Sequence, residues 1–313
     1  LSEALARIWP AHLSRLAWED LEQFRKARDG VSFIVDPEMG FRPVLGYRAH
    51  EGRYVYSDFG TIVNDYPARK RPDVERLLFI GDSVTARGRI IAGLRKLYGE
   101  AGYEYWNAGV ESFNTRQEVL FYQKFNHRLE PDHVILTVHI NDFQVTPVAF
   151  VDNDGYMRVY MPGNTMEGLS RVLFRYSELY RHYLSWTASQ QAGFERASAE
   201  VRDSLALLQE ELGSEIRLSV IIFPVLKPLQ EWTDEEERTR ARLLQFCDDL
   251  QLRCYDLTPL LSRQLSAGRT VRDSPTDVFH PNQSFGAAIA EFLFGQGLLD
   301  PAYSNRPAGL SRR

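Results

Sequence analysis

Apolar and polar positions alternate in blocks along most of the chain, in the order strand, helix, strand, helix. Five short apolar runs have the length of buried parallel strands; they cover residues 77–80, 103–106, 133–140, 216–223 and 254–257. Amphipathic stretches of helical length alternate with them, over residues 86–98, 115–129, 171–212, 233–252 and 284–298, the third as two helices joined near 188–193. This order predicts a three-layer α/β/α sandwich around a mainly parallel five-stranded sheet.

Three segments depart from this rhythm. Residues 1–73 combine a predicted helix over about residues 1–30 with a part rich in Gly, Pro and aromatic residues, so we expect an N-terminal extension of one helix, loops and short strands packed on the core. Residues 143–170 predict a hairpin-like insertion after the third strand, because Asp152-Asn153-Asp154-Gly155 has turn chemistry. Residues 301–313 predict a loosely held tail.

Composition excludes several classes of function. The chain has 313 residues and a formal net charge of −5, without the basic patch of a nucleic-acid-binding protein, so we expect no nucleic-acid partner. No apolar run approaches the roughly 20 residues that span a bilayer, so we expect no membrane span in this chain. The compartment stays open, with an extracytoplasmic or membrane-anchored protein whose anchor was removed as one alternative and a cytoplasmic protein as the other.

The cysteines and histidines do not form a metal-binding motif. Neither Cys-x-x-Cys nor His-Glu-x-x-His occurs, so we expect no metal and no cofactor. The two cysteines, Cys247 and Cys254, lie in a predicted helix and in the short strand after it. So few cysteines favour two buried free thiols, and a disulfide between them is the alternative.

Residues suited to acyl transfer follow the predicted strands. Ser83 comes directly after the first strand in Gly81-Asp82-Ser83, and the next two strands end before Gly109 and Asn141. Near the end of the chain, His280 comes three residues after Asp277 and just before the last helix. Because ligands bind at the carboxyl ends of the strands in such sheets, we expect these residues to form one site.

Each residue has a role that the chemistry requires. A serine hydroxyl needs a neighbouring base, and a histidine with an acidic partner supplies one, so Ser83, His280 and Asp277 form a candidate catalytic triad. The tetrahedral oxyanion of an acyl transfer needs preorganised donors. The N–H groups of Ser83 and Gly109 and the side-chain amide of Asn141 are the candidates for this oxyanion hole.

These positions resemble the motif blocks of the SGNH hydrolases, also called GDSL esterases or lipases. Ser83 in Gly-Asp-Ser, Gly109, Asn141 in Asn-Asp and His280 in Asp-x-x-His occur in the family's order, over about residues 74–298. The resemblance implies a flavodoxin-like catalytic domain over residues 74–300. In the third block His139 stands where family members often carry glycine. The loop-rich N-terminal extension is similar to that of bacterial members that act on acylated glycans.

We therefore predict a serine-dependent O-acyl esterase that hydrolyses an acylated, most simply O-acetylated, carbohydrate or a similar small ester through an acyl-enzyme intermediate. His139, Tyr156 and Tyr160 are candidates for lining the substrate site. The same triad could instead transfer the acyl group to a glycan hydroxyl. A third alternative is a carbohydrate-binding or scaffold protein that keeps the motif blocks without chemistry.

Overall fold

The computed structural model describes residues 3–8, 33–46, 54–151, 157–160, 168–187 and 194–300. The chain divides into two compact units, one made of Leu1–Asp58 and Gln144–Glu200 and the other of Phe59–Phe143 and Val201–Arg313. These boundaries differ from those predicted from the sequence. Residues 59–73 belong to the unit that contains the sheet, and the unit without it takes in residues 144–200 rather than the predicted insertion alone.

The elements alternate as the sequence pattern predicts. The strands are β1 (Phe33–Asp36), β2 (Gly40–Pro43), β3 (Glu75–Gly81), β4 (Tyr103–Gly109), β5 (His133–His139), β6 (Val148–Val151), β7 (Met157–Tyr160), β8 (Arg217–Phe223) and β9 (Arg253–Asp256). The α-helices are α1 (Glu3–Ile8), α2 (Ser83–Ala86), α3 (Arg89–Tyr98), α4 (Thr115–Lys124), α5 (Gly168–Tyr176), α6 (Glu178–Thr187), α7 (Phe194–Leu212), α8 (Asp234–Asp249), α9 (Thr258–Ser266) and α10 (Gln283–Gly295). Short 3₁₀ turns cover Asn126–Leu129, Ile140–Asp142 and Leu229–Glu231.

One unit is built around a five-stranded sheet in the order β4-β3-β5-β8-β9. Each of its strand pairs is parallel. Numbered along the chain, the order is that of a doubly wound, flavodoxin-like sheet. The predicted α/β/α fold and its five parallel strands are therefore confirmed.

The core lies on both faces of this sheet because successive strand residues point to opposite sides. Leu77 and Phe79 of β3 pack in a cluster with residues from α3, α9 and α10. Leu78 and Ile80 pack in a second cluster with residues from α4, α8 and the second half of α7. Apolar residues at consecutive positions thus mark a strand covered on both faces.

Local capping sets the helix ends. The side chain of Asn114 accepts from the N–H of Gln117, and the Gln117 side chain accepts from the N–H of Asn114, so Asn114 caps α4 directly before its first residue, Thr115. Thr233 and Glu236 form the same reciprocal pair of hydrogen bonds, a capping box, at the start of α8. Gly88 has a φ of 66° and separates α2 from α3 where the pattern predicts one continuous helix.

Three other predictions need correction. The described part of residues 171–212 belongs to three helices rather than two, because one helix ends before Ser177 and the next begins after it. The sequence analysis missed α9, a helix that begins directly after the last strand. Cys247 and Cys254 form a disulfide between α8 and β9, so the prediction of two free thiols is wrong.

The other unit contains two antiparallel strand pairs, β1 with β2 and β6 with β7. Strands β6 and β7 pair as a hairpin requires, but the residues that would form its turn lie outside the described part of the chain, so the hairpin stays a prediction. Val148 and Phe150 of β6 pack on Phe174 of α5. Glu3 of α1 accepts the hydroxyl of Ser177 and the N–H of Glu178 at the start of α6.

Several expectations fall outside the described part of the chain. Of the helix predicted over residues 1–30, the structure describes α1, and the tail after residue 300 is not described. Within the described residues, the helices lack the combination of length and apolar character that crossing a bilayer requires.

Close helix contact in the sheet unit gives a first prediction. A Cβ on Gly93 of α3 would lie 2.5 Å from the Cβ of Ala290 in α10, so Gly93→Ala should push these helices apart. We expect the free energy of unfolding in urea to fall by about 1–3 kcal/mol. Gly295→Ala, at the end of α10 with open space around the new methyl group, is the control and should be neutral or slightly stabilising. Equal effects of the two substitutions would contradict the packing argument.

Candidate active site

Sheet register brings the predicted catalytic residues to one edge. Gly81, the last residue of β3, pairs directly with Gly109, the last residue of β4. Strand β5 lies on the other side of β3, and the turn Ile140–Asp142 follows it. The carboxyl ends of three neighbouring strands therefore lie side by side, which is where such sheets bind ligands.

The turn that carries Ser83 is tightly constrained. A Cβ on Gly81 would lie 2.2 Å from the hydroxyl oxygen of Thr85, so a larger residue does not fit there. The buried side chain of Asp82 accepts from the N–H of Val84 at 2.8 Å and caps α2. Ser83 is the first residue of that helix, so its hydroxyl starts from a rigid turn at the end of β3.

Three predicted catalytic residues lie within hydrogen-bond distance of one another. The Ser83 hydroxyl oxygen is 2.8 Å from Nε2 of His280. Nδ1 of His280 is 2.8 Å from Oδ2 and 3.0 Å from Oδ1 of Asp277. With the ring proton on Nδ1, directed at the carboxylate, Nε2 is left as an acceptor for the serine proton.

Asp277 is held as an ionised partner of His280. Its Oδ1 accepts the N–H groups of Phe279 and His280, each at 3.0 Å. Partial burial opposes ionisation, but these two N–H groups and the His280 ring outweigh it and hold the pKa of Asp277 below its ordinary value. The carboxylate therefore stays charged wherever the imidazole can act as a base.

Sequence reasoning missed a second charged group beside the triad. Arg87 and Arg89 both form ion pairs with Asp273, which stands four residues before Asp277. The hydrogen bond from Arg89 lowers the pKa of Asp273. The sequence gives no signal for this contact, because the partners are more than 180 positions apart.

Gly109 has a packing role that the sequence did not reveal. A Cβ there would lie 2.3 Å from the backbone nitrogen of Ala86, so β4 can end against α2 only with glycine at this position. Its N–H donates to the side-chain oxygen of Asn107 at 2.9 Å, and the Asn107 amide donates to the carbonyl of Thr85. To act in an oxyanion hole, this N–H would have to leave Asn107, and its predicted role stays a prediction.

The other predicted site residues are described in part. Asn141 lies in the turn directly after β5, which places its backbone at the expected edge of the sheet; its side chain is outside the described atoms. The backbone of Tyr160 ends β7, its side chain is also not described, and Tyr156 lies outside the described residues.

His139 is a core residue rather than a surface that lines a substrate site. Its exposed fraction is 0%, and its ring packs 5.6 Å from the Phe223 ring and 5.5 Å from the Phe279 ring, centroid to centroid. Phe279 lies between Asp277 and His280 in the sequence, so His139 packs against the loop that carries these two residues. The expectation that His139 contacts substrate is therefore wrong for this conformation.

Buried carboxyl groups lie near the turn that carries Ser83. Asp82, Glu118 and Asp142 have exposed fractions of 1%, 2% and 1%. Asp142 accepts the N–H of His139 at 2.7 Å, whereas neither carboxyl oxygen of Glu118 has a hydrogen-bond partner among the residues that the structure describes. Burial, together with the neighbouring charges of Asp142 and Asp82, raises the pKa of Glu118 well above its ordinary value, and burial and Asp82 raise that of Asp142.

Two further features do not contribute to this site. The described residues contain no group of three or more His, Cys, Asp or Glu side chains that could hold a metal ion. A cavity of about 1750 Å³ lies at the amino ends of the strands, lined among others by Glu75, Tyr103 and Arg217, and therefore at the opposite edge of the sheet.

Comparison with known proteins gives structural likeness only. No protein-family model matches the chain, and no curated protein matches its sequence. Among solved structures, the chain is similar to LAE5, an α/β hydrolase from the metagenome of Lake Arreo in Spain, with 17% identity, a TM-score of 0.49 and coverage of 72% of this chain and 96% of that one. It is also similar to a catalytic mutant of Axe2, an acetylxylan esterase from Geobacillus stearothermophilus, with 15% identity, a TM-score of 0.49 and coverage of 73% and 97%. The corresponding values for the acetyl xylan esterase AlAXEase are 14%, 0.48, 71% and 99%.

The orienting role of Asp277 is testable. Asp277→Asn removes the negative charge that stabilises the imidazolium and favours the wrong ring tautomer, so we expect kcat for a small acetyl ester to fall by about 10²–10⁴-fold. Steady-state kinetics at pH 7 measure the loss, and thermal unfolding followed by circular dichroism shows whether the variant is folded. A folded variant with activity within threefold of the wild type would rule out this role.

The buried glutamate gives a prediction about stability. A pKa raised in the folded state means that the native protein binds the proton more tightly, so Glu118 reduces stability as pH rises above its ordinary value of 4.5. Glu118→Gln cannot ionise. The free energy of unfolding of Glu118→Gln, relative to that of the wild type, should therefore increase as the pH rises above 4.5. The slope should be up to about 1.4 kcal/mol per pH unit.

Urea unfolding between pH 4 and 8 measures this slope. Glu210→Gln, which makes the same substitution at an exposed position on α7, is the matched control. A constant difference for Glu118→Gln would mean that this carboxyl ionises normally in the folded protein.

Proposed function

We propose that this protein is a serine-dependent O-acyl esterase. The observation that carries the proposal is the continuous hydrogen-bonded chain from the Ser83 hydroxyl through His280 to Asp277, with both ring-nitrogen contacts at 2.8 Å. A serine at the start of a helix, with a base on its hydroxyl and a carboxylate on that base, is the arrangement that nucleophilic acyl transfer requires.

The proposed reaction has two halves. His280 takes the hydroxyl proton as Ser83 attacks the ester carbonyl, and then gives it to the leaving alcohol, which produces an acyl-enzyme. In the second half His280 takes a proton from the water that attacks the acyl group, and then gives it to the Ser83 oxygen as the bond to the acyl carbon breaks and the acid is released. In the proposal the oxyanion is held by the N–H of Ser83, the amide of Asn141 and, after release from Asn107, the N–H of Gly109.

We propose acetylated carbohydrates as the substrate class. Support comes from the resemblance of the four motif positions to SGNH hydrolases, bacterial members of which act on acylated glycans. Acetylated xylo-oligosaccharides are practical first substrates, because they carry acetyl esters on sugar hydroxyls in a small, water-soluble molecule.

The geometry favours an enzyme over a binding or scaffold protein. A protein that kept the motif blocks without chemistry would have no need for a serine hydroxyl placed on a histidine that is itself bonded to a carboxylate. Transfer of the acyl group to a glycan hydroxyl uses the same first half-reaction. Products formed with and without a saccharide acceptor would separate the two, because transfer yields a new acylated glycan.

Replacement of the nucleophile tests the proposal. Ser83→Ala should lower kcat/KM for 4-nitrophenyl acetate and for an acetylated xylo-oligosaccharide by at least about 10³-fold, with little change in thermal stability. A fluorophosphonate probe should label the wild type at Ser83, as mass spectrometry of the labelled peptide would show, and leave the variant unlabelled. Full esterase activity in Ser83→Ala would refute the assigned nucleophile.

A further inference from the structure

We propose that Arg87 is a positioning residue for the triad, which fastens the loop carrying Asp277 and His280 to the turn carrying Ser83 and tunes the histidine through Asp277. The inference deepens the proposed function and rests on it. Arg87 is the C-cap residue of α2, and its own N–H donates to the carbonyl of Ser83 at 3.1 Å. It therefore stands one helical turn from the nucleophile.

The side chain of Arg87 reaches across to the other half of the triad. Its Nη1 lies 2.8 Å from Oδ2 of Asp273 and 3.7 Å from Oδ2 of Asp277. The latter is the oxygen that His280 contacts at 2.8 Å. Both contacts come from the same guanidinium nitrogen, so one positive charge interacts with two carboxylates of the histidine loop.

Asp273 carries the attachment further into the loop. Its N–H donates to the carbonyl of His280 at 3.1 Å, and its second carboxyl oxygen pairs with Arg89 at the start of α3. Arg89 also donates to the carbonyl of Pro281, directly after the histidine. The backbone on both sides of His280 is therefore tied to the two helices that follow the nucleophile.

The ion pair between Arg87 and Asp273 joins two segments of the site that are distant in the sequence. Ser83 and His280 lie 197 positions apart, and no continuous element joins them. Arg87 and Ser83 lie on the same helical turn. The ion pair between Arg87 and Asp273 therefore fixes the histidine loop relative to Ser83. The side chains of Arg87 and Asp273 are 25% and 27% exposed, so the pair is only partly screened by solvent.

The same geometry has an electrostatic consequence. The charged groups that the structure places around His280 are Asp277 and Asp273 of its own loop, Arg87 from α2 and, through Asp273, Arg89 from α3. Arg87 shares an oxygen of Asp277 with the histidine and so opposes the extra positive charge of the imidazolium. Without Arg87 the ring should hold its proton up to a higher pH.

Variants of Arg87 test the proposal against a matched control. Arg87→Met should lower kcat for 4-nitrophenyl acetate by about 10–100-fold with KM changed less than about threefold, since the reacting groups and not the substrate contacts are displaced. The acid limb of kcat/KM should move up by about half a pH unit. Arg87→Lys should return the acid limb to its wild-type position and recover only part of kcat, because an ammonium group keeps the positive charge without the planar geometry of the guanidinium group.

Arg89→Met is the control, because it removes one positive charge from Asp273 and leaves the contact between Arg87 and Asp277 in place. It should leave the acid limb where it is. Equal shifts of the acid limb in both methionine variants, or none in Arg87→Met, would overturn the inference.

An NMR titration of the His280 ring, assigned by loss of its signal in His280→Gln, separates failure of this inference from failure of the proposed function. The titration midpoint should rise in Arg87→Met and stay in place in Arg89→Met even if no ester tested is a substrate. A midpoint unchanged in Arg87→Met would refute the electrostatic coupling whatever the activity of the enzyme.

Discussion

The site depends on how closely two parallel strands end against one short helix. Gly81 and Gly109 pair in the sheet, and a side chain on either would collide with α2, at Thr85 and at the backbone of Ala86. That contact leaves little freedom in the turn from β3 into α2. Ser83 is the residue on this turn that contacts His280. Glycine is therefore used here for close approach of backbones rather than for flexibility.

Charge around Ser83 is arranged asymmetrically. On the side of the histidine loop, the acids are partly exposed and paired with arginines, so they stay ionised and hold the loop through charge-assisted hydrogen bonds. Behind the serine turn, Glu118 is buried without a hydrogen-bond partner among the described residues, and burial raises the pKa of both Glu118 and Asp142, so both favour the neutral form. Two groups of the same chemical type thus contribute in opposite ways, as their access to water and to cations dictates.

The sequence was sufficient for the architecture because the strands are covered on both faces and are apolar at consecutive positions. It was also sufficient to place Ser83 and His280, since a known sheet order determines which loops meet. Other features depend on contacts between distant segments. The pairing of Arg87 with Asp273 and the burial of His139 against Phe279 have no local signature.

The bridge between Cys247 and Cys254 has a consequence for how the sheet ends. Strand β9 is an edge strand of four residues, with β8 as its neighbour in the sheet. An edge strand offers unpaired backbone groups to other chains, and short or covalently fastened edges limit such association. Because the cysteines are only seven positions apart, the bridge can close locally, before the distant strands have paired. The disulfide thus holds the last strand of the sheet to the helix before it, and reduction would remove this covalent attachment.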